Sequence, residues 1–272
     1  MYRVNRVPLL CAALFALSLP LAAQAKTVLI IDTNNPVMGS PVVTDPSLVL
    51  GGLETAAGNT VTYSGLLLPT LTDFDQIWDL RANTAISGPL QADYLDFLQG
   101  GGNLALIGEN FISKPRNDSI DDFLALAGAG KISETGPSET QDVLAPFDGP
   151  FPVSKITFHS PGGFFEIGHG KGITTSFGGY GGAAFDPGTL DNAPLGRLVV
   201  FMDTGLFNPE DSPFFGSPGA QNLTRNLIHY LGDEPGQLPG TRGGVPEPAT
   251  WALMLMGMGF IGTAVRRRAM VA

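Results

Sequence analysis

The fold of this chain is decided by residues 94–110, which read YLDFLQGGGNLALIGEN. Apolar residues from Leu90 to Leu98 recur at the i, i+4, i+7 and i+8 positions of a helix. The glycines 100–102 end that helix, and the apolar run Asn103–Ile107 follows as a strand. A helix that returns through a short turn to a strand buried on both faces is typical of a parallel α/β sheet.

The same alternation of strands and helices extends in both directions from this unit. Four further apolar runs predict strands, at Thr27–Ile31, Thr60–Tyr63, Phe74–Leu80 and Leu198–Met202. Three further segments predict helices: Pro46–Ala57, a helix capped by Asn117 or Asp118, and a last helix that starts at Ser217-Pro218.

Residues 129–190 have a different composition, rich in glycine, proline and short Phe/Ile/Thr runs such as Val153–Phe158, Ile173–Phe177 and Ala183–Phe185. This composition predicts an antiparallel, β-rich insertion. We therefore expect an α/β domain over about residues 26–234, with a doubly wound, mostly parallel sheet that carries the insertion.

Residues 94–110 resemble the helix–glycine–strand–turn core of class I glutamine amidotransferase-like, flavodoxin-like domains. Residues 196–203 and the helix 222–231 resemble the last strand and helix of such domains, so the resemblance covers about half of residues 26–245. In the catalytic members of that superfamily, the turn after the fourth strand carries a nucleophilic cysteine on a Gly-x-Cys-x-Gly elbow. This chain has Gly108-Glu109-Asn110-Phe111-Ile112 there. Without a thiolate that mechanism is excluded, and we lean towards a protein that is not an enzyme.

The carboxyl ends of parallel strands line the ligand crevice of such folds. Polar residues follow the predicted strands and form a candidate ligand site: Asp32, Asn34, Asn35, Glu109, Asn110 and Asp203. Glu109 and Asp203 could act as an acid/base pair of a hydrolase that acts on a glycan. The alternative is that these side chains cap helices and hold loops together, as Asp and Asn usually do.

His159 and His169 flank a glycine-rich turn in the predicted insertion and, together with Glu166, are candidates for a metal site. Neither His-x-x-x-His nor Glu-x-x-His spacing is present around them. We expect no cofactor.

The N-terminal segment has the three parts of a secretory signal peptide. Arg3 and Arg6 precede the apolar run Leu9–Leu19, and Ala23-Gln24-Ala25 supplies the cleavage site, so the mature chain is expected to begin at Lys26. The only cysteine, Cys11, lies in this segment. The exported part therefore has neither a disulfide nor a cysteine nucleophile.

The exported part is strongly acidic. Between residues 26 and 245 there are 10 basic and 24 acidic residues, which gives a formal net charge of −14. Such a surface repels nucleic acid and other polyanions and keeps the protein soluble.

The C-terminal segment combines three features behind a Gly/Pro linker at residues 235–245. These are Pro246-Glu247-Pro248, an uncharged run of 17 residues at 249–265, and the basic triplet Arg266, Arg267 and Arg268. As a helix the uncharged run spans roughly 25 Å, the short end of what crosses a bilayer. The arginines favour a cytoplasmic position for its far end.

These features, in this order, resemble the PEP-CTERM sorting signal of exported bacterial proteins. The resemblance implies an exosortase, a membrane protease-transpeptidase, as a partner that processes the chain near Pro246-Glu247-Pro248. It also implies an intermediate anchored in the inner membrane and a final place at the cell surface or in the extracellular polysaccharide matrix. The alternative is a plain C-terminal membrane anchor whose prolines only end a linker.

Overall fold

The computed structural model describes residues 25–32, 45–65, 67–81, 83–110, 113–158, 161–207 and 219–232. All of them belong to one compact unit, Ala25–Gly240. The predicted signal peptide, the Gly/Pro linker, the Pro-Glu-Pro segment and the predicted transmembrane helix lie outside the described residues. Among the residues that are described, no helix is both long enough and apolar enough to cross a membrane.

The described residues form eleven strands, four α-helices and two short 3-10 turns. In chain order the strands are β1 (Thr27–Ile31), β2 (Thr60–Ser64), β3 (Gln76–Asp79), β4 (Asn103–Ile107), β5 (Ile132–Thr135), β6 (Thr140–Val143), β7 (Lys155–Thr157), β8 (Gly163–Ile167), β9 (Lys171–Ser176), β10 (Gly179–Phe185) and β11 (Leu198–Phe201). The helices are α1 (Pro46–Ala56), α2 (Gly88–Gln99), α3 (Lys114–Ala127) and α4 (Ala220–Gly232), and the 3-10 turns are Leu71–Asp73 and Thr204–Phe207.

Five parallel strands form one half of the sheet, in the order β2-β1-β3-β4-β11. This is the flavodoxin-type order, in which the strand order reverses between the first and third strands. The α/β class and the doubly wound arrangement predicted from the sequence are therefore confirmed.

Helices cover both faces of this parallel half, because its strands are apolar on both sides. Val28 and Ile30 of β1 point into a core shared with α1 and α4, while Leu29 and Ile31 point into a core shared with α2 and α3. Trp78 packs edge-on against Phe207 in the first core, and Tyr94 packs edge-on against Phe123 in the second. The two cores fix the strands, and so they fix the positions of the strand ends.

The other half of the sheet is antiparallel and continues directly from β11. Strand β10 pairs antiparallel with β11, β9 and β8, and the remaining pairings, β5 with β8, β6 with β9 and β6 with β7, are antiparallel as well. The prediction of a mostly parallel sheet was wrong, because the residues between 132 and 185 extend the same sheet. Gly182 makes this junction close, since a Cβ there would lie 2.5 Å from the ring of Phe201.

Helix α3 begins earlier than the sequence indicated. Its N-cap is Ser113 and it starts at Lys114, so Asn117 and Asp118 lie inside the helix and do not cap it. Pro115 fits this start, because proline is tolerated in the first turn of a helix. Asn117 is only 2% exposed and has a different task, which is described below.

Candidate functional site

The carboxyl ends of the parallel strands bring four acidic side chains to one edge of the sheet. Asp32 follows β1, Asp79 is the last residue of β3, Glu109 follows β4 and Asp203 follows β11. Since β4 and β11 are neighbours paired from Leu104↔Leu198 to Ile107↔Phe201, Glu109 and Asp203 stand on adjacent strand ends. The predicted pair of carboxylates is thus placed side by side.

Both oxygens of the Glu109 carboxylate accept hydrogen bonds from the protein itself. The Thr204 hydroxyl donates to Oε2 at 2.6 Å, and the backbone N–H of Asn110 donates to Oε1 at 3.1 Å. Glu109 therefore ties the turn after β4 to the 3-10 turn after β11.

Asp203 is more deeply buried, with 5% of its surface exposed. Its Oδ1 accepts the backbone N–H of Gly205 at 2.6 Å, while its Oδ2 has no hydrogen-bond partner among the described residues. Burial, and next the nearby charge of Glu109, raise the pKa of Asp203 to about 7, and the Gly205 hydrogen bond only partly opposes them. At neutral pH this carboxyl therefore exists in both protonation states.

The turn after β4 is held by Asn117 of α3. Its Oδ1 accepts the backbone N–H of Glu109 at 3.2 Å, and its Nδ2 donates to the carbonyls of Glu109 at 2.8 Å and Asn110 at 3.3 Å. The amide that the sequence assigned to a helix cap thus anchors the turn after β4.

That turn is also covered by the chain between β7 and β8. The backbone N–H of Gly162 donates to the carbonyl of Met202 at 3.0 Å. A Cβ on Gly162 would lie 2.4 Å from the carbonyl oxygen of Glu109, so only glycine allows this approach. The strand ends of β4 and β11 are therefore overlaid by the backbone at Gly162.

Asp79, at the end of β3, is the centre of an ionic network that the sequence analysis missed. Arg81 donates to it from Nε at 2.8 Å and from Nη2 at 2.7 Å, Arg116 of α3 donates from Nη1 at 3.1 Å, and the Tyr94 hydroxyl donates at 2.9 Å. Asp79 and Arg116 are both fully buried. Burial alone would raise the pKa of Asp79, but Arg116 and Arg81 outweigh it and lower the pKa to about 2. Arg116 occupies a position on the same helical stripe as Ile120 and Phe123, a signal that could have indicated a buried charge.

A second buried acid, Glu54 of α1, was also missed. Its carboxylate accepts hydrogen bonds from Gln76 Nε2 at 2.6 Å, Trp78 Nε1 at 2.7 Å and Asn59 Nδ2 at 2.6 Å, and the residue is fully buried. Burial raises the pKa of Glu54 to about 7 although these neutral donors oppose it. The contacts join the end of α1 to β3.

The other predicted ligand-binding residues are only partly described. Asp32 is 6% exposed, and its backbone N–H donates to the carbonyl of Ser64 at 3.0 Å. Asn34 and Asn35 lie outside the described residues. Asn110 is half-buried beside Glu109, and its carbonyl is bound by Asn117.

The predicted metal candidates are not assembled within the described part of the chain. His169 is exposed in the turn between β8 and β9, and its backbone N–H donates to the carbonyl of Ala129 at 2.8 Å. Glu166 forms an ion pair with Lys131 at 2.8 Å, and His159 lies outside the described residues. No group of three or more His, Cys, Asp or Glu side chains among the described residues is arranged to hold a metal ion.

An open cleft of about 260 Å³ lies on the α3 side of the same edge. Its walls come from α3, β5, the start of β8 and the end of β11, and they include Asn117, Glu134, Thr135, Gly136 and Met202. The cleft is therefore next to the turn that carries Glu109.

Comparison with solved structures shows the fold. The N-terminal domain of mmIFT52 superposes with a TM-score of 0.55 at 10% identity, over 78% of this chain and 100% of that domain. A ThuA-like protein from Parabacteroides merdae gives 0.48 at 12% identity, over 82% of this chain and 94% of that one. A glutamine amidotransferase from Thermotoga maritima gives 0.47 at 10% identity, over 78% and 100%. At 10% identity, the likeness to the mmIFT52 domain extends to the fold alone.

Sequence comparison gives a specific result at the C-terminus. Among curated proteins, none matches this chain. The family of the PEP-CTERM protein-sorting motif matches residues 244–268, the segment that the sequence analysis singled out. The chain thus carries, behind an α/β domain, the PEP-CTERM sorting motif of exported exosortase substrates.

Proposed function

We propose that this protein works, without catalysis, at the cell surface or in the extracellular polysaccharide matrix of a bacterium. The sorting motif at residues 244–268 is the observation that carries the proposal, because it marks an exported protein that an exosortase sorts. In this proposal the C-terminal segment anchors an intermediate in the inner membrane, and processing near Pro246-Glu247-Pro248 then releases the acidic α/β domain to its final place.

The geometry at the sheet edge supports a role without catalysis. Both oxygens of Glu109 are bound by Thr204 and by the backbone of Asn110, and the segment at Gly162 lies over the turn. The only cysteine of the chain is Cys11, in the predicted signal peptide. The edge where catalytic relatives keep a nucleophile is thus used here to hold loops together.

The sorting part of the proposal is tested by replacing Pro246, Glu247 and Pro248 with alanine. We expect the variant to keep its C-terminal segment, because the exosortase no longer recognises it, while the normal protein loses that segment in the same cells. Intact mass of the recovered protein reports the difference. Alanine at Pro235 and Pro239, prolines of the linker outside the motif, is the matched control and should leave processing unchanged. Normal processing of the triple variant would refute the proposal.

A second candidate function is an exported hydrolase that acts on a glycan, with Glu109 and Asp203 as the acid/base pair. The pKa of Asp203, raised to about 7 chiefly by burial, favours it, because a general acid works best when its pKa is near the ambient pH. Turnover of polysaccharide and ester substrates that is lost in Glu109→Gln would establish this function and displace the first. If the unchanged protein and the Glu109→Gln variant show the same background turnover, the result supports the role without catalysis.

A further inference from the structure

The hairpin between β9 and β10 presents one aromatic ring almost entirely to water. Phe177 is 94% exposed, the largest exposed fraction among the large hydrophobic side chains that the structure describes. The two residues after it, Gly178 at φ +100° and Gly179 at φ +142°, have backbone conformations that favour glycine. An aromatic ring that is held in water is unfavourable unless it has a partner to contact.

The tip of this hairpin is fixed on the segment that forms one wall of the cleft. The carbonyl of Phe177 accepts hydrogen bonds from the backbone N–H of Ser138 at 3.2 Å and from its hydroxyl at 3.1 Å. A Cβ on Gly178 would lie 3.4 Å from the carbonyl oxygen of Gly136, which lines the cleft, and a Cβ on Gly179 would lie 2.7 Å from the methyl of Thr135. The backbone of Phe177 is therefore held beside residues 135–138, of which Thr135 and Gly136 line the cleft.

The cleft itself offers groups that accept hydrogen bonds. The amide of Asn117 is already bound to backbone, whereas the exposed carboxylate of Glu134 and the hydroxyl of Thr135 face the cleft without a side-chain hydrogen bond to any described residue. Asp121 of α3 lies close to Glu134. Burial first, and then the charge of Glu134, raise the pKa of Asp121 to about 7. Its Oδ1 is buried and lacks a hydrogen-bond partner among the described residues.

These features favour one class of ligand. A saccharide unit has an apolar C–H face that packs on an aromatic ring and hydroxyl groups that donate to carboxylates and carbonyls. The acidic wall and the net charge of −14 on residues 26–245 repel uronate or sulfated glycans, which favours neutral glycans over anionic ones. A volume of about 260 Å³ fits a single sugar ring better than a long segment of chain.

We propose that the cleft beside Glu134 and Thr135, together with Phe177, binds one sugar unit of a neutral polysaccharide. The sugar packs on the Phe177 ring and donates hydroxyl hydrogen bonds to the Glu134 carboxylate. This inference rests on the proposed location in a polysaccharide matrix and names the contact that the domain makes there.

The test measures binding of the mature exported protein to a panel of neutral hexose oligosaccharides of differing configuration, by calorimetry. Hexuronate oligosaccharides of the same length form the anionic arm. We expect millimolar or tighter binding to a neutral member, weakened at least tenfold in Phe177→Ala and several-fold in Glu134→Gln. Phe165→Ala is the matched control, because Phe165 is 67% exposed on β8 and alternates with Phe164, which is buried on the α3 side of the sheet. Phe165 therefore points to the face away from the cleft, and its replacement should change the affinity less than twofold.

Several results would overturn the proposal. Equal losses in Phe165→Ala and Phe177→Ala would show general adsorption to apolar surface, a preference for hexuronates would contradict the charge argument, and no binding to any panel member would remove the site. Thermal unfolding checks that Phe177→Ala is folded, which its exposure leads us to expect. Cell fractionation separates the two proposals: a protein found at the surface that binds no glycan refutes only this inference, whereas an unexported protein refutes the proposed function.

Discussion

Asp79 and Asp203 end two strands of the same parallel sheet, at the same edge, and both are almost completely buried. The Asp79 carboxylate forms ion pairs with two arginines, with Oδ2 at 2.7 Å from Nη2 of Arg81 and at 3.1 Å from Nη1 of Arg116. The Asp203 carboxylate accepts a hydrogen bond from the backbone N–H of Gly205 at 2.6 Å, and the like charge of Glu109 lies nearby. Burial acts on both in the same direction, yet the pKa of Asp79 falls to about 2 while the pKa of Asp203 rises to about 7.

The difference shows what decides the chemistry of a strand end in this fold. Position on the sheet places an acid at the edge, but the helix packed behind it decides whether a cation reaches it. Helix α3 carries Arg116, whose guanidinium lies at the end of β3. At the ends of β4 and β11, the same helix places the neutral amide of Asn117. The end of β3 is therefore held by ion pairs between Asp79 and two arginines. Asp203, at the end of β11, has no cationic partner among the described residues.

The largest effect is expected from Asp79→Asn. This change removes the carboxylate that pairs with both Arg81 and Arg116 and leaves two cations in a buried site, so it should lower the free energy of unfolding by about 3–5 kcal/mol at pH 7. Urea unfolding measures the loss. A loss below about 1 kcal/mol would mean that the network does not hold this end of the sheet.

The same substitution at the other strand end should act in the opposite direction. Asp203→Asn keeps the acceptor for Gly205 and removes an ionisation that burial opposes, so it should stabilise the protein above neutral pH. Since the pKa of Asp203 is raised from 3.8 to about 7, folding favours its protonated form. The stability that this group contributes is present below about pH 4 and is lost as the pH rises to about 7.

The difference between Asp203→Asn and the unchanged protein should therefore be small at pH 4 and grow to the order of 3 kcal/mol by pH 8. Urea unfolding at several pH values measures it. Glu54, whose pKa is also raised to about 7, contributes to the same slope in both proteins and cancels in the comparison. A variant that is less stable than the unchanged protein at pH 8 would contradict the contrast between the two strand ends.

The smallest effect is expected at an ion pair outside the network. Lys114 and Asp118 are paired on the surface of α3, with 72% and 51% of their side chains exposed. Lys114→Ala should leave the free energy of unfolding almost unchanged, because solvent screens such pairs. Urea unfolding at pH 7 serves again. A loss comparable with that of Asp79→Asn would show that burial does not separate the two classes of ion pair.

Sequence reasoning succeeded where the local pattern alone decides structure. Thr27–Ile31 and Asn103–Ile107 are strands with the predicted bounds, and the parallel arrangement places Glu109 and Asp203 on neighbouring ends as expected. These results follow from apolar runs that must be buried on both faces.

It failed where tertiary contacts override the local pattern. Asn117 is a residue type that commonly caps helices, yet it lies inside α3 and its amide binds the turn after β4. The partners of Asp79 lie 2 and 37 residues along the chain, so the packing of α3 had to be known before the network could be seen. The antiparallel half joins the main sheet through β10, whose glycines and alanines carry little periodic signal.

The intact mass of the mature protein, recovered from cells with and without the exosortase, distinguishes sorting from plain anchoring. We expect a chain that begins at Lys26 and ends near Pro246 when the enzyme is present, and one that retains the C-terminal segment when it is absent. A chain that runs to Ala272 in both cells would contradict this expectation, because the C-terminus would then be a plain anchor.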